Sequence, residues 1–339
     1  MERFIEIKGI SKTFDGEKVL FRATQLLGDA IFNPHLENGV FPERNVETEK
    51  VCLVEEIESL IENKPSYAMF RARQIMCKDE PFAVDAGGEV DRVLALDGKE
   101  LELAASEESN IIDNAPVFIT YAGEADFEYV LECVNAHLNF SPRENKLPES
   151  VIHKHRGEIL RVSEEMEMEQ TVLILGFTTE KANTAKKRAT LTVYDEIFGG
   201  SPASKLFMNV REKEGLCYYC SSYPTAGKNV LFVSCGIEPK TEEKAISAIY
   251  REIEAMKNGD FSDSDMQNAK NSILRNLNGV GGSLGSITGY LLGLNLNFDA
   301  VTIEENKKLI SCVTREEIIA LANSVSPELE YILGPEVMA

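Results

Sequence analysis

The chain has 339 residues, of which 43% are apolar, and this is enough to form two sizeable hydrophobic cores. Its 35 basic and 56 acidic residues give a net charge of −21, which opposes binding to nucleic-acid phosphates and favours basic peptides or basic partner surfaces. Seven cysteines, an odd number, indicate reduced thiols, and no run of about 18 apolar residues occurs, so we expect a soluble, cytoplasmic protein without a membrane span.

Two pairs of segments resemble each other and indicate an internal duplication. GVFPERNVETEK begins at Gly39 and GDFSDSDMQNAK begins at Gly259, and each predicts a capped helix after a phenylalanine. LDGKELELAA from Leu96 and VTREEIIALA from Val313 form the second pair, at nearly the same offset. The shared order of these segments makes coincidence a poor explanation.

A β-rich run follows the second pair of segments in each copy, at Val117–Ala122 and at Glu330–Leu333. The second copy starts near Gln170, and subtracting the offset places the start of the first copy roughly 50 residues before Met1. We therefore expect the first copy to be truncated at its N-terminus. Because such a loss would expose a sheet edge and an apolar face, we also expect the isolated chain to form a homodimer, to capture a partner or to be poorly soluble.

A polar stretch with two prolines, Ser141–Glu169, separates the two copies. Its later part, residues 157–162, could already be a strand. We predict a first half at residues 1–145, a linker at 146–168 and a second half at 169–339. Helices and short strands occur in blocks, which predicts an α+β fold with a mostly antiparallel sheet packed with helices in each half. The predicted strands are residues 117–122, 171–177, 218–223 and 230–237.

The most informative stretch is FGGSPASKLFMNVREKEGLCYY. It places Arg211 at the end of a predicted helical turn and Tyr218 early in a predicted strand, with Gly215 as the helix terminator between them. A guanidinium and a phenol at such a junction could both donate hydrogen bonds to a peptide carbonyl or an oxyanion. The alternative is an Arg211 paired with Glu212 or Glu214 and a Tyr218 that fills the core.

Two further groups of residues could bind a metal, and we favour a structural role for both. Cys217 and Cys220 form a C-x-x-C pair, but positions three apart in a strand point to opposite faces, so we expect ordinary core or surface thiols. His153 and His155 could face one way on a strand, but no third ligand lies nearby in the sequence, so we expect linker surface.

The pattern G-G-x-x-x-S-x-L-F-x-x-x-R-E-x-x-G-L-x-Y, from Gly199 to Tyr218, resembles the C-terminal-half signature of the pitrilysin/insulinase metallopeptidases. QTVLILGF and VTREEIIALA resemble the same half, and FPERNVETEKVCLVEEI resembles the N-terminal half. The resemblance implies a clamshell of two homologous α+β halves. It also implies a zinc ion held in the first half by H-x-x-E-H and a distant Glu, with an Arg and a Tyr of the other half contacting substrate. Arg211 and Tyr218 take those two positions.

The sequence departs from this pattern because it contains no H-x-x-E-H; its histidines are His35, His137, His153 and His155. The helix that would carry the third zinc ligand holds Glu47 and Glu49, which we expect to be solvated helix charges. We therefore expect no metal or cofactor in this chain, with zinc on a partner subunit.

The preferred functional hypothesis is a catalytically incomplete homologue, similar to the non-zinc subunit of bacterial two-chain members of that family. It would supply the peptide-binding face of Arg211 and Tyr218 to a zinc-bearing homologous subunit and so form a heterodimer. The peptide substrate would be basic, and no nucleic acid or membrane would be bound. The alternatives are a purely structural scaffold and a fragment of a complete zinc peptidase.

Overall fold

The computed structural model describes residues 16–106, 115–141, 151–225, 227–296 and 299–336. The α-helices are, in chain order, α1 (Gly16–Phe32), α2 (Glu43–Glu62), α3 (Lys64–Met76), α4 (Val90–Ala95), α5 (Gly98–Ser106), α6 (Phe127–His137), α7 (Ala185–Phe198), α8 (Glu242–Lys257), α9 (Asp263–Gly279), α10 (Leu284–Asn295), α11 (Ile303–Cys312) and α12 (Arg315–Ser324). The strands are β1 (Leu160–Met166), β2 (Thr171–Thr178), β3 (Cys217–Thr225), β4 (Val230–Ile237) and β5 (Ser326–Pro335). A π-helix spans Leu206–Lys213, and two 3-10 turns span Pro81–Ala83 and Val280–Gly282.

The chain divides into two compact units. Among the described residues, the first unit contains residues 16–57, 87–106, 115–141 and 280–296, and the second contains residues 58–86, 151–225, 227–279 and 299–336. The predicted boundaries at residues 145 and 169 separate the two copies of the proposed duplication from the linker, and they stay a prediction. The compact units divide the chain differently, since residues 58–86 and 151–168 belong to the second unit.

The second unit is built on a five-stranded sheet in the order β1-β5-β2-β4-β3. β1 runs parallel to β5, and the other neighbours are antiparallel. β1 forms within the predicted linker, where Arg71 of α3 contacts Glu164 at 2.6 Å. The α+β fold with a mostly antiparallel sheet packed with helices is therefore confirmed.

The sequence of β2 explains why this strand lies at the centre of the sheet. TVLILGFT is apolar on both faces, and all eight residues are buried, as are all eight of β4. Leu173 and Leu175 face a core that includes Tyr194 and Phe198 of α7 and Ile249 of α8. The predicted strands over 171–177, 218–223 and 230–237 are confirmed.

The helix α3 covers the opposite face of this sheet. Ala68, Ala72 and Met76 are buried in a second cluster that includes Ile174 of β2 and Phe232 of β4. The two alanines lie one turn apart and let the helix approach the strands closely.

In the first unit, α1 packs against α6. The ring of Phe21 contacts the ring of His137 edge-on, with the ring centres 4.4 Å apart. A Cβ at Gly28 would lie 2.3 Å from the carbonyl oxygen of His137, so this contact requires a glycine.

The predicted strand at 117–122 is wrong. Residues 116–122 are irregular in the structure, and the described sheet consists of β1 to β5 alone. A β-rich composition fixes a strand only where a neighbouring strand completes its backbone hydrogen bonds, so propensity was insufficient here. The duplicated halves, the clamshell and the truncation stay predictions.

Candidate functional site

The π-helix at Leu206–Lys213 and strand β3 position Arg211 and Tyr218. Leu206 and Val210 are fully buried and anchor the helix to the core. Gly215 has a φ of +62°, a left-handed conformation that favours glycine, and its N–H donates to the Arg211 carbonyl at 3.1 Å. The predicted helix end at Gly215 is thus observed.

Arg211 is held by contacts on its own helix. Its guanidinium carbon lies 4.4 Å from the centre of the Phe207 ring, and its Nη1 is 3.2 Å from Oε1 of Glu212. The pairing with Glu212 that the alternative predicted is therefore present, whereas Glu214 pairs with Arg251. The Arg211 side chain is 36% exposed, so it remains accessible from solvent.

Tyr218 does not fill the core; it is 51% exposed. The pairing of β3 with β4 passes from Cys217 opposite Ile237 to Tyr219 opposite Gly236, which leaves Tyr218 as the extra residue of a bulge. β3 is the last strand of the described sheet and pairs only with β4 there. Tyr218 is thus an accessible phenol on a sheet edge, and among the described residues no hydrogen bond joins it to Arg211.

The bulge also shows that the prediction of opposite faces for Cys217 and Cys220 is wrong. It moves Cys217 onto the face of Cys220, and the sulfur atoms of Cys217, Cys220 and Cys235 lie within 4.8 Å of one another. Hydrogen bonds from the Cys220 and Cys235 thiols lower the pKa of Cys217, and the charge of Arg211 lowers it further. Cys220 and Cys235 are 1% and 0% exposed in the apolar core, which agrees with the predicted core thiols.

An open groove of about 570 Å³ lies between α3 and the edge strand β3. Its lining is mainly apolar and aromatic, and it includes Met69, Phe70 and Phe82 from one side and Tyr219 and Tyr223 from the other. Local sequence patterns do not reveal this groove, because it depends on the packing of α3 on strands that come much later in the chain. The alternation of Tyr219 and Tyr223 along β3 is the signal that places both on one face.

The prediction of linker surface for His153 is wrong. Its side chain is 2% exposed, and its two ring nitrogens lie 2.5 Å from Oε1 of Glu80 and 2.9 Å from Oε1 of Glu328. His155 is more open, at 39% exposure, and its Nδ1 lies 3.1 Å from the other Glu328 oxygen. Partners 73 and 175 residues away bury His153, and sequence spacing does not reveal such contacts.

Glu47 and Glu49 are exposed on α2, and Glu47 pairs with Lys50 at 2.8 Å, so the predicted solvated helix charges are confirmed.

The residues of this chain do not fit the zinc site that the resemblance implies, because no H-x-x-E-H occurs in the sequence. No helix among the described residues is both long and apolar enough to cross a membrane.

Comparison with known proteins identifies the family. A family model described as the peptidase M16 inactive domain matches residues 118–273. A probable inactive metalloprotease of Bacillus subtilis is 30% identical over 331 residues, which are 97% of this chain and 76% of that protein. The chain belongs to the M16 peptidase family. The resemblance to pitrilysin/insulinase peptidases, based on residues 199–218, is thus confirmed, and the chain is an inactive-type homologue within that family.

Solved structures share the fold. A conserved protein of Enterococcus faecalis is 25% identical and superimposes with a TM-score of 0.85, over 95% of this chain and 76% of that one. A peptidase M16 inactive domain from Pseudomonas fluorescens is 18% identical, with a TM-score of 0.73 over 93% of this chain and 75% of that one. The second likeness shows the M16 fold alone.

Proposed function

We propose that this chain is a non-hydrolytic M16 subunit that holds an extended peptide for a zinc-bearing homologous subunit. The observation that carries the proposal is the exposed phenol of Tyr218 on the bulged edge strand β3, three residues after Gly215, the left-handed residue that ends the helix bearing Arg211. A hydroxyl in this position can donate to a peptide carbonyl or to the oxyanion that forms from it.

The edge of β3 offers a second means of holding a peptide. Backbone N–H and C=O groups along a sheet edge can pair with an extended chain, and neighbouring pockets then select its side chains. The groove beside β3 supplies such a pocket, lined by Met69, Tyr219 and Tyr223 among others. Apolar and aromatic side chains of the peptide fit this lining, and the net charge of −21 favours basic residues around them.

The proposed division of labour assigns hydrolysis to the partner. A zinc peptidase needs three protein ligands and a general base, and this chain lacks the family motif that would supply them. Tyr218 and Arg211 would contact the peptide, and the partner subunit would carry the zinc ion. All seven cysteines are free thiols, which supports a reducing compartment such as the cytoplasm.

One observation favours the second candidate, a structural scaffold without a peptidase role. Arg211 already stacks on Phe207 and pairs with Glu212, so its guanidinium has partners without a peptide. The exposure of Tyr218 favours the first candidate, since a scaffold gains nothing from an open phenol at that position.

Tyr218→Phe tests the proposed contact. In the pair reconstituted with a zinc-bearing homologue, this change should lower peptide turnover at least about tenfold, because one oxyanion donor is lost. Tyr121→Phe is the control, since Tyr121 is 37% exposed, belongs to the first unit, does not line the groove and loses the same hydroxyl. Its turnover should stay close to that of the unchanged pair. Equal turnover for Tyr218→Phe and the unchanged pair would refute the role of Tyr218.

A further inference from the structure

A cluster of possible metal ligands lies at the carboxyl end of α3, remote from Arg211 and Tyr218 in sequence. Cys77 caps this helix, Glu80 precedes the turn at Pro81–Ala83, and His153 comes from the segment that leads to β1. The Cys77 sulfur, a Glu80 carboxylate oxygen and a His153 ring nitrogen all lie within 4.8 Å of one another. Thiolate, carboxylate and imidazole together are a donor set typical of zinc.

Glu328 orients His153 and is already occupied by other groups. Its Oε1 is 2.9 Å from Nε2 of His153 and 3.6 Å from Nε of Arg156, and its Oε2 is 3.1 Å from Nδ1 of His155. A carboxylate that accepts from Nε2–H fixes the ring and leaves Nδ1 as the nitrogen available to a metal, which is the usual arrangement around a zinc-bound histidine.

Glu80 differs from Glu328, because one of its two carboxylate oxygens has no hydrogen-bond partner among the described residues. Oε1 lies 2.5 Å from Nδ1 of His153, whereas Oε2 is buried and accepts no hydrogen bond from the described residues. A buried carboxylate oxygen without a partner is costly. A cation between Glu80, Cys77 and Nδ1 of His153 would satisfy it.

The electrostatic surroundings also favour a cation. The carboxyl end of a helix carries a partial negative charge, and Cys77 lies at that end of α3. Burial raises the pKa of Cys77 to about 12, with contributions from Glu80 and Glu328, while Lys228 and Arg156 act in the opposite direction. The carboxylates of Glu80 and Glu328 near this thiol would stabilise a divalent ion.

We propose that Cys77, Glu80 and His153 bind a zinc ion through Sγ, a carboxylate oxygen and Nδ1, with Glu328 as the residue that positions the His153 ring. Three protein ligands leave a fourth position for water. The site is distinct from an H-x-x-E-H site, and it would fasten the carboxyl end of α3 to the segment at residues 151–156.

Metal titration of the full chain tests this site. After removal of metal with a chelator, the chain should bind one zinc ion, and cobalt in its place should give a thiolate charge-transfer band. Because Cys77 must lose its proton, affinity should rise with pH, by up to about tenfold per unit for a single proton. The absence of stoichiometric zinc and cobalt binding would overturn the proposal.

Matched variants separate this cluster from the three thiols around Cys220. Cys77→Ser and His153→Gln should each lower zinc affinity more than about tenfold, and Cys77→Ser should abolish the cobalt band. Cys220→Ser should leave both readouts unchanged. Glu328→Gln should keep the band but lower the affinity by about 10- to 100-fold, as expected of a positioning residue. If Cys220→Ser removes the band and Cys77→Ser retains it, the proposal is wrong.

Thermal unfolding keeps the test valid where a variant loses stability. Zinc should raise the melting temperature of the chelator-treated wild-type chain and leave that of Cys77→Ser unchanged, provided both start folded by circular dichroism. An equal shift in both would show that the metal binds elsewhere.

Discussion

Asp195, near the end of α7, should make the stability of the fold depend on pH. The Ser222 hydroxyl donates a hydrogen bond to its carboxylate, but burial raises the pKa of Asp195 from 3.8 to about 7. A raised carboxyl pKa means that its stabilising contribution is complete below about pH 4 and is lost as the pH rises through 7. Asp195→Asn should therefore gain stability relative to wild type between pH 4 and 8, on the order of 1–3 kcal/mol. Urea unfolding at several pH values measures this, and a difference that is constant with pH would contradict it.

At the same scale, the sequence places Arg211 and Tyr218 correctly on a helix end and a strand, because Gly215 and the apolar positions around them encode that break locally. It fails for Cys217, whose orientation depends on a bulge in the pairing with β4. It also fails for His153, which is buried by residues far away in the chain. Local patterns predict conformation, whereas the environment of a side chain depends on distant partners.

At the scale of elements, the contact between α3 and the sheet depends on small side chains. Ala72 is fully buried against the cluster that includes Ile174 and Phe232. Ala72→Leu should destabilise the fold by about 1–3 kcal/mol, because added methylenes overpack a closed core. Ala136→Leu on the exposed face of α6 is the matched control and should change the free energy of unfolding by less than about 0.5 kcal/mol. Equal effects in urea unfolding would show that α3 does not pack tightly on the sheet.

The elements differ in how far the sequence could predict them. β2 and β4 are predicted to within one residue, because each is a continuous apolar run buried on both faces. The run at 117–122 has a similar composition but is irregular. The sequence allows a strand at residues 157–162 of the linker, and β1 forms at Leu160–Met166 by pairing with β5. Strand pairing, which involves distant residues, therefore decides whether each of these runs forms a strand.

For the whole molecule, the sequence was sufficient for the family and the fold class, since the segment at residues 199–218 carries the signature that the M16 match confirms. It did not predict the division into units, because residues 58–86 pack on a sheet that the chain forms much later. The groove between α3 and β3 is a consequence of that packing and was missed for the same reason.

We propose that this chain contributes to peptide hydrolysis only in company with a zinc-bearing homologue. The most direct measurement is a peptide-cleavage assay with this chain alone, with an H-x-x-E-H homologue alone, and with both together, each with and without a chelator. We predict cleavage that is much faster for the pair than for either protein alone and that the chelator abolishes. Cleavage by this chain alone, or a homologue whose rate is unchanged when this chain is added, would contradict the claim.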